Sequence, residues 1–204
     1  MLVRERSIVL ASNNPGKIAE LVELLAPHRV SICPLAQFTH ESAEESGVTF
    51  RENALLKARF ATNMAKMPAI ADDSGLEVDA LDGAPGVFSA RYAGEQAGDA
   101  ANNQKLLDAL ASVPDGQRGA RFRCVLAYVH DANAEPLLAE GVWEGQILRS
   151  QRGTNGFGYD PLFLPAGSKK SSAELSREEK NRVSHRAQAL RALIDLLLRK
   201  GELA

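Results

Sequence analysis

The chain has 204 residues, with 24 Lys+Arg against 26 Asp+Glu, so its formal net charge is −2; 45% of its residues are apolar, 25% charged and 5% aromatic. That composition excludes intrinsic disorder, and the near-neutral balance excludes the strong basic bias of a simple nucleic-acid binder. No run of about 18 apolar residues could form a membrane span, and the length predicts one large domain, or two lobes sharing a core, with no need of a disulfide or structural metal.

Met1 to Arg6 carry charges where a signal peptide would need its apolar stretch, which predicts a cytoplasmic location. Ser7 to Ala11 is a short β-branched run that stops at the turn formers Ser12-Asn13-Asn14-Pro15-Gly16. Ile18, Leu21, Val22 and Leu25 then recur at helical spacing, and Pro27 closes that helix. A second strand is predicted at Val30 to Leu35, followed by a polar, acidic loop from Gln37 to Gly47. Cys33 and Cys124 show no CxxC and no zinc-type spacing, in keeping with a reducing compartment.

Thr49-Phe50-Arg51-Glu52 has the form of a capping box, opening a helix that runs to about Lys66. Ala69 to Ala71 reads as a brief strand ending in Asp72-Asp73-Ser74-Gly75, and Gly83 to Gly86 as a sharp turn. Asp99 to Ala111 is a helix with Leu106, Leu107 and Leu110 inward. Ala120 to Val129 is a long strand, with two more at Leu137 to Trp143 and Gln146 to Arg149. Gly153 to Gly158 is a glycine-rich loop leading into Tyr159-Asp160-Pro161. A second capping box, Ser176 to Glu179, opens one long helix with Val183, Ala187, Leu190, Ile194 and Leu197 as its apolar stripe. Helices and strands that alternate before strands cluster predict an α/β protein with a mixed sheet.

The chemistry-bearing residues stand at the ends of these elements. Ser12 to Lys17 forms a strand-to-helix turn whose free N–H groups and lysine suit phosphate, without a Walker loop; a plain turn would look the same. Asp72 and Asp73, placed after a short strand, are predicted at a sheet edge or mouth, as carboxylates for a hard divalent cation, as a proton acceptor, or as an Asp-rich turn. Glu41, Glu44 and Glu45 fit a solvated acidic surface, with Glu44 also a candidate metal carboxylate. Asn53 and Lys57, four apart, share a helix face. Phe157-Gly158-Tyr159-Asp160 offers rings that could stack on a base or cap a core. Lys180, Asn181, Ser184 and His185 fall on a polar strip of the last helix, with Arg186 beside it. Cations (Lys17, Lys57, Lys180, Arg186) and carboxylates (Glu44, Asp73) recurring in a neutral chain are what magnesium plus triphosphate demands.

At this point the chain resembles the inosine/xanthosine triphosphate pyrophosphatases, also called Ham1-like or RdgB-like proteins, nearly end to end and in the bacterial order of motifs. The resemblance rests on Ser12 to Lys17, on Glu44 to Phe50 with Glu52-Asn53-Ala54, and on Ala71 to Leu76. It continues through Gly83 to Gly86, Ser89 to Tyr92, Gly156 to Pro161, Glu178 to Asn181 and Ser184-His185-Arg186. It implies an elongated mixed β-sheet flanked by helices, with two lobes around a central cleft, as in Maf/Ham1-like proteins. It further implies a homodimeric, Mg²⁺-dependent enzyme that hydrolyses ITP, dITP and XTP to monophosphate and pyrophosphate, cleansing the nucleotide pool, without nucleic-acid or membrane partners.

By motif position, Asp73 matches the catalytic carboxylate and a metal ligand, and Glu44 the second metal ligand. Ser12, Asn13, Asn14, Pro15, Gly16, Lys17, Ser74, Phe157, Gly158, Tyr159, Asp160, Lys180, His185 and Arg186 match substrate-binding positions. Asn53 and Lys57 are added from their shared helix face. Asn13 stands where the family has glycine, which reaches unusual backbone angles more cheaply. The mechanism expected is water attack on the α-phosphorus, with Asp73 taking the proton, Asp72 in reserve, and Lys17 and Lys57 facing the leaving pyrophosphate. His185, Arg186 and N–H groups near Phe157 would read the 6-oxo base. Three other functions fit the same residues: a Maf-like pyrophosphatase of pyrimidine or modified nucleotides, a nucleotide sensor without catalysis, and a non-enzymatic scaffold.

Overall fold

The computed structural model describes residues 6–12, 14–28 and 30–203; the role expected of Asn13 lies outside them. Strand β1 (Arg6–Ala11) leads into helix α1 (Pro15–Leu25). Asn14 caps α1, its side chain accepting the Lys17 N–H at 3.1 Å, and Pro15 stands in the first turn. Leu21 and Leu25 are buried and Ile18 packs beside them, but Val22 is exposed, so the apolar stripe is narrower than its spacing suggests. A 3₁₀ turn holding Pro27 closes the helix, and β2 (Val30–Pro34) follows.

Helix α2 (Phe50–Ala65) opens with the predicted capping box: Thr49 accepts the Glu52 N–H while Glu52 accepts the Thr49 N–H, each at 3.2 Å. Lys66 ends it in the left-handed conformation at φ 53°.

Strand β3 (Ala69–Val78) corrects the expectation of a three-residue strand followed by an acidic turn: it runs ten residues straight through Asp72-Asp73-Ser74-Gly75. Local propensity disfavours Asp and Gly in strands, but tertiary partners override it here, because both carboxylates meet cations inside the fold.

Helix α3 (Asp99–Ala109) and strand β4 (Gly119–Val129) lie where expected. The two strands expected at 137–143 and 146–149 are one, β5 (Leu137–Ile147). Gly145 breaks the sequence pattern for a packing reason: a Cβ there would collide with the Leu164 carbonyl of β6 (Phe163–Pro165), a strand the sequence pattern does not show.

The single long C-terminal helix is also corrected. Helix α4 (Arg177–Val183) carries the predicted Ser176 capping box but stops at Ser184, which is extended (φ −63°, ψ 156°), before α5 (His185–Arg199) begins. Val183 is 44% exposed and leaves the stripe that Ala187, Leu190, Ile194 and Leu197 do form.

The six strands form one mixed sheet in the order β2-β1-β3-β4-β5-β6, with β1 parallel to both neighbours and β5 antiparallel to β6. With its helices it is the α/β fold expected. The chain forms two compact units, and β3, β4 and β5 contribute residues to both. The first contains the described residues up to Asp73, Cys124–Gly141 and those from Arg186 on; its core includes Ile8, Leu10, Leu21, Leu126, Leu190 and Leu193. The second contains Ser74–Arg123 and Val142–His185, around Leu76, Leu106, Phe122, Trp143, Tyr159 and Phe163. Both cysteines are free, and burial pushes the Cys124 thiol up to about 12. Among the described residues no helix is long and apolar enough to cross a membrane.

Candidate functional site

In the first unit the parallel pairing of β1 with β3 runs from Val9↔Ala69 to Ala11↔Ala71. The turn after β1 and the carboxylates after Ala71 therefore lie at the same end of these strands. Successive side chains of a strand point to opposite faces, so Asp72 and Asp73, neighbours in sequence, make their closest contacts with different cations. Asp72 lies 3.1 Å from Lys17 Nζ of α1 and 3.6 Å from Arg186 Nη2 of α5. Arg186 also donates to Glu20, one helical turn beyond Lys17. Asp73 Oδ1 accepts Lys57 Nζ of α2 at 2.7 Å, and the same ammonium reaches Glu45 at 3.1 Å.

These partners split the two acids chemically. Asp72 is 1% exposed, and burial alone would push its pKa up, but Lys17, Arg186 and Lys57 outweigh burial and hold the carboxylate well below its ordinary value. Asp73 is raised instead: burial dominates, Lys57 and Lys17 only partly offset it, and the Asp72 charge adds to the rise. Lys57 is held protonated, since Asp73, Asp72 and Glu45 together outweigh its own burial. One acid is a fixed anion, the other a proton acceptor moved toward neutrality. Asp73 Oδ2 is buried with no hydrogen-bond partner among the described residues.

The remaining candidates of this unit are placed as follows. Ser12 is half-buried and accepts the Asn14 N–H at 3.3 Å, while Pro15 is exposed and Gly16 half-buried. Glu44 is exposed, and it is its neighbour Glu45 that meets Lys57. Asn53 is buried rather than part of an exposed polar face; its Oδ1 accepts the Gly47 N–H at 2.8 Å, tying the acidic loop to α2.

In the second unit the glycine-rich loop is built around Asp160, which is 2% exposed. Its carboxylate accepts Lys180 Nζ at 2.6 Å, the Ser172 hydroxyl at 2.6 Å and the Phe157 N–H at 3.0 Å. Tyr159 is a core residue whose hydroxyl donates to the Ser89 carbonyl at 2.9 Å, and burial raises its pKa. Phe157 is half-buried, with Lys180 Nζ 5.0 Å from its ring centre. Ser74 is half-buried in β3. The break at Ser184 turns His185 inward, stacked at 4.8 Å and 12° on Phe122.

Gly156 stands at φ +77°, and a Cβ there would fall on Asp160 Oδ2, a carboxylate that Lys180 and Ser172 keep from moving. Gly156→Ala is therefore expected to cost about 1–3 kcal/mol, read as a lowered urea midpoint; an unchanged midpoint would show that the loop relaxes freely.

Glu20, Ser172, Asp99 and Asn103, which hold Arg186, Asp160 and Gly158, escaped sequence reasoning. Glu20 was legible, because it sits three residues from Lys17 on one helix face. The others are joined by tertiary contact alone.

A sequence profile of the Ham1 family matches residues 8–196. A protein of Escherichia coli (strain K12) named dITP/XTP pyrophosphatase is 52% identical over 193 residues, covering 94% of this chain and 98% of the relative. A Ham1 protein structure from Coxiella burnetii superposes with a TM-score of 0.87 at 49% identity, covering 95% of this chain and 99% of that one. A second, from Staphylococcus aureus, gives 0.85 at 40% identity, covering 96% and 100%. With its mixed sheet, its paired buried aspartates and these likenesses over nearly its whole length, the chain belongs to the Ham1 family.

Proposed function

We propose that this protein hydrolyses the deaminated purine nucleoside triphosphates ITP, dITP and XTP to monophosphate and pyrophosphate. The observation that carries the proposal is Asp73: a buried carboxylate with a raised pKa, oriented through one oxygen by Lys57 and with its other oxygen unpartnered among the described residues. Membership of a family whose relatives are named dITP/XTP pyrophosphatases supports it.

A divalent cation fits these residues. Among the described residues no group of three His, Cys, Asp or Glu could hold a metal unaided. Mg²⁺, however, takes one or two carboxylates and completes its shell with water and substrate phosphate oxygens. Asp73 Oδ2 offers one hard oxygen, and Glu44 with the adjacent Glu45 the second. When bound, the ion would neutralise phosphate charge and make the bound water more acidic.

Asp73 accepts a proton from water as its oxygen attacks the α-phosphorus and the bond to the bridging oxygen of pyrophosphate breaks. Lys57 orients Asp73 and, with Lys17, places positive charge where the leaving group gains negative charge. Ser12, Asn14 and Gly16 contribute the polar turn at the start of α1. Phe157 supplies a ring face for a base, and the backbone of Gly158 and Tyr159 the polar edge, with Asp160 and Lys180 fixing that loop. His185 and Arg186 act from within the fold, His185 by stacking and Arg186 by holding Asp72. The same reading includes a cytoplasmic homodimer without nucleic-acid or membrane partners, to be checked by light scattering.

The test is pyrophosphate release from ITP, dITP, XTP, ATP, GTP and dTTP, with Mg²⁺ and after EDTA. Preference for the inosine and xanthosine nucleotides, abolished by EDTA and restored by Mg²⁺, is expected. Preference for dTTP would instead establish a Maf-like specificity, and binding without release a sensor.

A further inference from the structure

We propose, resting on the function above, that Asp99 and Asn103 at the start of α3 are positioning residues for the base-binding segment Phe157–Tyr159 and set its discrimination between 6-oxo and 6-amino purines. The two are four residues apart and share a helix face. Between them they grip a single residue of the loop. Gly158 donates its N–H to Asp99 Oδ2 at 2.6 Å, and its carbonyl accepts Asn103 Nδ2 at 2.8 Å.

This grip orients two consecutive peptide groups. The N–H and C=O of a trans peptide point in opposite directions. Holding the Gly158 carbonyl on Asn103 therefore turns the Tyr159 N–H away from α3. Holding the Gly158 N–H on Asp99 turns the Phe157 carbonyl away, where it accepts the Asp160 N–H at 3.3 Å. Gly158 meets both demands at φ +60°, a conformation that glycine adopts without strain. A 6-oxo base presents an acceptor and a 6-amino base a donor, so the direction of these peptide groups decides which base leaves a buried group unpaired.

Asn103 shows what its amide is for. It is 2% exposed; its second N–H contact is to the Asp99 carbonyl at 2.8 Å, while its Oδ1 is buried without a hydrogen-bond partner among the described residues. An unmatched buried amide oxygen carries a desolvation penalty that a leucine of similar size would escape. Packing alone would favour the leucine; the donors are what asparagine adds.

The test uses the full chain with Asn103→Leu, Asp99→Ala and Asp99→Asn. Asn103→Leu sheds the unmatched oxygen but also both donors, so it is expected to leave the thermal midpoint close to that of the wild type, yet to lower the ITP-over-ATP ratio of kcat/KM by about tenfold, through KM rather than kcat. Asp99→Ala should do the same, and Asp99→Asn, which can still accept the Gly158 N–H, should recover most of the ratio. Independently of turnover, exchange of the Gly158 amide in nucleotide-free protein should speed up in Asp99→Ala. An unchanged ratio in Asn103→Leu and Asp99→Ala overturns the proposal, and so does unchanged Gly158 exchange. A wild-type protein with no preference for ITP over ATP sinks the functional reading itself and the discrimination role with it.

Discussion

Asp73→Asn should lower kcat for ITP by about 10²–10⁴-fold, the range a positioned general base supplies, while ITP still binds. Asparagine keeps the shape of the side chain and loses the capacity to accept a proton. Lys57 keeps Glu45 as its counter-ion, so the local arrangement survives. The linkage has a definite sign. Asp73 is raised above its ordinary 3.8, so its neutral form stabilises the fold fully below that value, and the gain is lost as pH rises through the raised pKa. At neutral pH the ionised side chain is a net cost that Asn does not carry. Without metal, the wild type should therefore lose a part of its stability as pH rises through that pKa, and the variant should lack that part of the fall. Near-normal kcat would remove Asp73 from the role assigned to it.

Asp72→Asn should do the reverse, leaving chemistry capable and the fold weak. The carboxylate stands between Lys17 and Arg186, and Arg186 is itself 1% exposed. Breaking a buried pair by removing one partner costs about 3–5 kcal/mol, since the other charge stays buried with less compensation. Here the pKa is depressed, so the stabilisation is present above about 3.8 and is lost as pH falls below it. Urea unfolding between pH 3 and 7 checks both points. The wild type should lose stability toward pH 3, and the variant should start lower and lack that part of the fall. A variant within about 1 kcal/mol of wild type with the same acid slope would refute the account.

Local signals carried most of the architecture. Both capping boxes, the Asn14 turn and the strand at 119–129 could be read from neighbouring residues, because their causes are neighbouring residues. What was not legible depends on partners distant in sequence. β3 extends through two aspartates only because lysines from α1 and α2 meet them, and β5 runs through Gly145 because β6 presses against it. The interruption at Ser184 follows a residue type that favours helix starts, yet the apolar stripe beyond it hid the change of direction. Of the candidate site, Asp73, Lys57, Lys17 and Arg186 come together in one unit, and Phe157, Asp160 and Lys180 in the other. Asn53 and Tyr159 are there as well, but as struts.

The alternation of β3 has one more consequence. Two identical acids in tandem look interchangeable, a spare beside a working copy, yet each is bound to its own side of the sheet. Deleting one residue between Ala69 and Ala71 would slide the pair by a single step, putting Asp73 before Lys17 and Arg186 and taking Asp72 away from both. Redundancy written in the letters is absent from the geometry, and no second substitution at position 72 can compensate for a loss at 73.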